Sequence, residues 1–281
     1  MTRFRRLPVA FAVAALLGVA APAAASAAST LTISGATASY PLIQLLAQKY
    51  QKLHPHKIKF KIAQGGATVG ENDVIAGRVS IGDLSRGPLS TTPAGLVFYP
   101  IAKYPICVIT NKANTLANLT GTQLTQIFNG KVKTWSQVPG ASVSGSIEPI
   151  TRTSVAGVLT SFQELLLSPL KAGEKTSVST KLNFPEEATE GQMLQKVASN
   201  PLSIGFVSGY QADKGTVNVV GYNGVACNLA NATAGEYTGV AHFYEVTKGK
   251  ATGAASAFIG WIKVSAAAKK IIETQWIPIS G

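Results

Sequence analysis

Acidic residues are scarce in this chain. Its 281 residues include 13 Asp and Glu against 25 Lys and Arg, and charges of both signs make up only 14%. So low a charge content excludes a charge-rich disordered chain, and 46% hydrophobic residues suffice for one large domain or two modest lobes, each with a core. There are three histidines. Two of them, His54 and His56, flank Pro55 with no third ligand nearby, so no metal is expected there, and no cofactor motif is present. The chain contains no G-x-S-x-G, P-loop or H-E-x-x-H sequence. Ser168-Pro-Leu-Lys171 matches S-x-x-K, but S-D-N and K-T-G are missing and Pro169 would stop a helix, so no enzyme is expected. The lysines are scattered, without a run of five basic residues or a zinc-finger spacing, which argues against nucleic acid as a partner.

Long apolar runs are also missing beyond the first segment. Arg3, Arg5 and Arg6 precede an apolar run from Leu7 to Ala21, and Ala25-Ser26-Ala27 follows as an A-x-A cleavage site. The run is shorter than the roughly 20 residues of a membrane span, so residues 1–27 are expected to be a signal peptide cut near Ala27. No cysteine lies near the cut, which argues against a lipid anchor, and the mature chain is expected in the periplasm or outside the cell. Losing three arginines and no acid takes the formal charge from +12 to +9. That balance suits an anionic ligand or surface. The two cysteines, Cys107 and Cys227, are expected to pair in an exported chain. Closing a loop of about 120 residues contributes roughly 4–5 kcal/mol in the chain-entropy model.

What is present is an alternation of strand and helix patterns. Leu31 and Ile33 alternate into the turn Ser34 to Pro41, and Leu42, Leu45, Leu46, Tyr50 and Leu53 leave it at helical spacing. Gly35 permits a tight turn, Ser39 or Thr37 is the expected N-cap, and Pro41 suits a first helical turn. Backbone N–H groups at such a helix start can hold an anion. Ile58, Phe60 and Ile62 lead through Gly65-Gly66 into a second unit ending near Ala76 and Gly77, and Ser80 to Arg86 reads as a strand with an exposed end. Tyr99 to Asn111 is extended and interrupted by Pro105, and Leu124, Ile127 and Phe128 mark a helix. Ile147 to Arg152 reads as a strand before a helix capped by Ser154. Glu187 to Ser199 and Ala254 to Ile272 read as helices, and Leu202 to Val207, Val217 to Val220 and Val240 to Val246 as strands.

The ordered set SGATASYP, GGATVG, SIGDLSR, LTGTQLTQIFNGKVKTW, Arg152 and NPLSIGFVSGY resembles the solute-binding proteins of phosphate ABC transporters. That resemblance implies an α/β, two-lobed periplasmic-binding-protein fold of class II type, with mixed sheets flanked by helices. It further implies a monomer that captures inorganic phosphate or a similar oxyanion and delivers it to a membrane ABC transporter permease. Lobe one would comprise residues 28–105 and 210–281, and lobe two residues 106–209, with the Cys107–Cys227 bond bracing their junction. Carried over from the family, the ligand set is Thr37, the N–H of Ala38, Ala67, Ser85, Arg152, Ala156, Gly157 and Val158. The family has hydroxyls where this chain has Ala67, Ala156 and Val158. A hydrogen bond to a charged group contributes about 1.5–3 kcal/mol. Either Thr68, Thr153 and Ser154 therefore replace those hydroxyls, or the ligand is another oxyanion, or the cleft has decayed in a surface-interaction protein. Asp83 is two residues from Ser85 on a strand and is either a proton acceptor for the ligand or a solvated loop acid. Arg152 is expected at the cleft mouth, where its loss would spare the fold, with Arg86 the weaker candidate.

Overall fold

The computed structural model describes residues 1–2, 28–168 and 176–279. The expected signal peptide and most of the S-x-x-K segment lie outside the described residues. Each early strand hands over to a helix at a turn of small residues. β1 (Ser29–Gly35) leads to α1 (Tyr40–Leu53), which has proline in its first turn and buries Leu42, Ile43, Leu46 and Tyr50. β2 (Ile58–Gln64) leads to α2 (Ala67–Ile75), and β3 (Ile81–Leu84) follows. β4 (Leu96–Thr110) is a single strand of 15 residues through both Pro100 and Pro105. The interruption expected at Pro105 does not occur. Pro105 sits opposite Val240 as the pairing with one partner ends, and Ile106 N–H then bonds to Gly239 O at 2.8 Å.

β5 (Asn118–Leu119) precedes α3 (Gly121–Phe128), which Thr120 and Gln123 start with a reciprocal capping box. The expected strand over Ile147 to Arg152 is divided into β6 (Glu148–Pro149) and β7 (Thr151–Arg152), which pair with different strands. α4 (Gly157–Leu165) begins after Ala156 with no side-chain cap, so Ser154 does not cap it. β8 (Glu186–Glu187), α5 (Glu190–Ser199), β9 (Ser203–Ser208), α6 (Gly209–Ala212), β10 (Asn218–Tyr222) and α7 (Leu229–Ala234) follow. β11 (Val240–Lys248) leads to α8 (Gly253–Val264), α9 (Ala266–Ile272) and β12 (Ile277–Pro278). The tail expected as one helix breaks at Ser265, whose hydroxyl accepts from Ala267 N–H and starts α9 afresh.

The main sheet runs β2-β1-β3-β11-β4-β10-β5, with β1, β2 and β3 mutually parallel and β11 antiparallel to both β3 and β4. β4 serves both halves of the molecule. Residues 96–105 pair with β11, whereas residues 106–110 pair with β9 and residues 108–110 also with β10. Separate aromatic clusters fill the two halves. Tyr50, Phe60, Phe258 and Trp261 pack under β1 and β2, and Phe128, Phe162 and Phe206 pack beyond the crossing, the last two stacked at 3.9 Å. The result is the mixed α/β, two-lobed fold. Cys107 and Cys227 form a disulfide with Cα atoms 5.6 Å apart, tying β4 just past the crossing to the segment before α7.

Candidate functional site

Strand ends and helix starts gather where the halves meet. Gly35 has φ of 153°, and a Cβ there would collide with the Asp83 carbonyl, so β1 approaches β3 this closely only with glycine. Ala36 N–H donates to Asp83 O at 2.8 Å, while Gly65 and Gly66 N–H both donate to Gly35 O. These bonds fix the turns before α1 and α2 side by side. Ser39 occupies the N-cap position of α1, yet its hydroxyl donates to Asp83 Oδ2 at 2.5 Å instead of accepting from the helix. The other expected cap, Thr37, accepts a hydrogen bond from Arg152 Nη2 at 3.0 Å.

Arg152 reaches Thr37 from the opposite half. Its Nε donates to Glu187 O and its Nη2 to Ala188 O, both at 2.9 Å, so the backbone between β8 and α5 aims the guanidinium. Nη1 lies 4.0 Å from Glu190 Oε1 and has no hydrogen-bond partner among the described residues. The arginine is 1% exposed, which corrects its expected place at an open cleft mouth. Burial lowers its pKa, and Glu190 pulls it back up. Glu190, itself 1% exposed, is raised by burial, while Arg152 and two bonds from Ser208 oppose the rise. Guanidinium keeps its proton under any such shift, so the cleft holds a fixed positive charge.

α4 closes the arrangement. A Cβ on Gly157 would stand 2.7 Å from Ser85 Oγ and 2.8 Å from Ala67 Cβ, so the start of α4 lies directly on the start of α2. Thr68 N–H donates to Val155 O at 3.1 Å, and Ser161 Oγ and Tyr104 Oη donate to Ser85 O. Thr37, Ala38, Ala67 and Ser85 are thereby buried with Arg152, Ala156, Gly157 and Val158, and Thr68 lies at their edge. Of the expected replacement hydroxyls, Thr153 Oγ1 is buried without a partner among the described residues, Thr68 Oγ1 receives a long bond of 3.4 Å from Arg86, and Ser154 is exposed. Arg86 is buried too, and pairs with Glu71 at 2.6 Å.

Asp83 is not a solvated acid. It is buried, and its registered neighbour across β3 and β11 is Glu245, 0% exposed. Asp83 Oδ1 and both Glu245 oxygens have no hydrogen-bond partner among the described residues. Burial pushes Asp83 up to about 7 against the bond from Ser39, and burial together with Asp83 pushes Glu245 well above the carboxylate range. Two such acids hold at least one proton between them at neutral pH. Glu190 and Glu245 are the residues that sequence reasoning passed over. The T-x-x-Q box at Thr189 marks the helix start that carries Glu190, and the alternation Ala241, Phe243, Glu245, Thr247 places Glu245 on the inward face.

Two halves that share a strand and meet over helix starts, hydroxyls and a buried arginine define the two-lobed fold of a binding protein. The PBP superfamily domain matches residues 20–265, and the chain belongs to that superfamily. It is 25% identical over 258 residues to the phosphate-binding protein PstS of Bacillus subtilis, covering 90% of this chain and 82% of that one. A Clostridium perfringens crystal structure ascribed to a phosphate ABC transporter substrate-binding protein, with bound phosphate, superposes with a TM-score of 0.79 at 25% identity. That match covers 90% of this chain and all of the other. An ABC-type phosphate transport receptor from Vibrio cholerae matches with a TM-score of 0.69 at 26% identity, over 89% of this chain and all of its own.

Proposed function

We propose that the chain is an exported solute-binding protein that closes its lobes on a tetrahedral oxyanion, with phosphate the leading ligand, and delivers it to a membrane ABC permease. The observation that carries this reading is Arg152, which leaves one lobe, is buried, and donates to Thr37 at the start of the other lobe's first helix. Its Nη1 and the Thr153 hydroxyl are buried polar groups without protein partners among the described residues, and in this reading the oxyanion supplies the missing partner of Nη1. The proposed ligand set is Thr37, Ala38, Ala67, Thr68, Ser85, Arg152, Thr153, Ala156, Gly157 and Val158, with Ala67, Ala156 and Val158 contributing backbone only. Asp83, which accepts from Ser39 and faces Glu245 in register, is left out of this set.

The lobes in this reading are residues 28–105 with 240–279 and residues 106–239. Pairing of β10 with residues 108–110 supports moving the second crossing from residue 210 to the Gly239–Val240 junction. Export rests on the leader over residues 1–27 with cleavage near Ala27 and no lipid-bearing cysteine, and the mature N-terminus is read by mass spectrometry of the exported protein. A second reading, a cleft that has lost its anion, is favoured by one observation. The Thr68 amide at the start of α2 is already bonded to Val155 O. Thermal shift against phosphate, arsenate, sulfate and molybdate separates the two. A ligand at a hundred times its Kd stabilises by about 2.7 kcal/mol, so a shift with one anion supports capture and none with any supports a decayed cleft.

A further inference from the structure

The turn that carries Thr37 and Ala38 is fastened at both ends to one residue. Ala36 N–H donates to the Asp83 carbonyl at 2.8 Å, and the Ser39 hydroxyl donates to Asp83 Oδ2. Gly35, just before the turn, is in register with Asp83 across β1 and β3. A serine at a helix start ordinarily accepts from the free N–H groups of the first turn. Ser39 makes no such cap, so the 14-residue α1 starts uncapped beside Thr37 and the Arg152 guanidinium, while its cap residue is held by an acid.

That acid has a second acid for a neighbour. Glu245 is in register with Asp83 across β3 and β11, and residues so paired project to one face of a sheet. Three carboxylate oxygens of the pair, Asp83 Oδ1 and both of Glu245, accept no hydrogen bond among the described residues. The surrounding elements bring no positive charge to them. β1 presents Gly35, α1 presents Ser39, and β4 presents Tyr99 opposite Glu245. Lys49 and Lys52 of α1, Lys263 of α8 and Glu164 of α4 are exposed. On α2, Glu71 is taken by Arg86 and Asp73 by Arg78. His242 and Lys248 lie three residues either side of Glu245 and so on the other face of β11, with Lys103 across from His242. A buried carboxyl pair without a cation lowers its charge by holding protons. Burial raises both acids, Asp83 to about 7, so the charge of the pair changes near neutral pH.

We propose that Asp83 is a positioning residue through which the Asp83–Glu245 pair couples oxyanion capture to proton uptake, the anion entering at Thr37 and Ala38 while the pair takes a proton. An ionised Asp83, one hydrogen bond from the N-cap of α1, sets a negative charge against the arriving anion and offsets the field of the helix start. A protonated Asp83 leaves that field intact. A bound anion therefore raises the affinity of the pair for protons, and by reciprocity a proton on the pair raises the affinity for the anion. Affinity is full while the pair is neutral and falls as pH rises past about 7. The coupling needs no proton on the ligand, since the pair makes no contact with it. It rests on the capture reading of the cleft.

The test is calorimetry of the full chain with inorganic phosphate at pH 6, 7 and 8, in two buffers of different ionisation heat so that protons taken up on binding are counted. Phosphate titrates over the same range, and comparison at each pH with Asp83→Asn, and with Asp83→Asn plus Glu245→Gln, cancels its contribution. Between pH 6 and 8 the affinity of the parent relative to either variant is expected to fall about fivefold or more, and the parent is expected to take up more protons at pH 8 than either. Glu273→Gln, which removes an exposed acid paired with Lys269, is expected to follow the parent within about twofold at every pH. Both amides keep the shape of the acids they replace, and a melting curve of each variant confirms folding. A uniform loss of affinity with an unchanged pH profile and proton count makes Asp83 purely structural and overturns the proposal. Equal affinity, profile and proton count in parent and variants also overturns it, while capture stands. No phosphate binding by the parent at any of the three pH values overturns the capture reading and the proposal together.

Discussion

At Arg152 a single guanidinium joins residues 115 positions apart in sequence, donating to Thr37 and to the carbonyls of Glu187 and Ala188. Removing one partner of a buried charged contact costs on the order of 2–5 kcal/mol of binding, so Arg152→Ala is expected to weaken phosphate binding by that amount in calorimetry. It also leaves Glu190 buried without its cation, and the variant is expected to melt lower than the parent, contrary to the sparing effect expected of an exposed arginine. Arg86 behaves differently. Its guanidinium meets Glu71 at 2.6 Å with both side chains buried, so Arg86→Ala is expected to cost about 3–5 kcal/mol of folding stability in urea titration. Because Arg86 is already occupied by Glu71, anion affinity of the folded variant is expected to stay within tenfold of the parent. Arg86→Ala changing affinity as much as Arg152→Ala would reverse the assignment of the two arginines.

Among the elements, β3 and β11 carry the feature with the clearest dependence on pH. Asp83 and Glu245 face each other across these strands, and burial raises both above their unfolded values. The folded state therefore binds more protons than the unfolded chain once pH exceeds about 4. Stability from this pair is full below that value and declines as pH rises toward and past 7, by about 1.4 kcal/mol per pH unit for each extra proton held. Urea midpoints between pH 5 and 8 are expected to fall with pH, and Asp83→Asn with Glu245→Gln is expected to flatten the decline. A midpoint that rises over this range would show that the pair folds ionised. The units β1 to α1 and β2 to α2 were legible in sequence because their hydrophobic period changes from 2 to 3.6 across a turn of small residues. The break at Ser265 was not, since the apolar spacing continues past a serine that restarts the helix. Thr37, Arg152 and the start of α4 came from the family resemblance, whereas their mutual contact depends on how the lobes close. The partners of Asp83 and Arg152 lie 162 and 38 positions away, and local spacing carries no record of them.

For the molecule as a whole, the two halves are held by the continuous strand β4, by the return proposed at Gly239–Val240 and by contacts between them, with the Cys107–Cys227 bond beside the β4 crossing. In the proposed lobe division both cysteines lie between the two crossings. Reduction, or Cys107→Ala with Cys227→Ala, is expected to destabilise the protein by about 4–5 kcal/mol in the chain-entropy model, read as a lower urea midpoint, while anion affinity changes less than threefold. A large loss of affinity on reduction at unchanged fold would instead place the bond in control of closure. The position of β11 between β3 and β4 carries a consequence for biogenesis. A chain crossing a membrane amino-terminus first delivers β1 to β4 early, yet the slot between β3 and β4 stays unfilled until residue 248 has emerged. In the proposed lobe division residues 106–239 can assemble in the meantime, so the lobe whose strands emerge first is the last to be completed, and the facing edges of β3 and β4 must be kept from pairing with other chains until then.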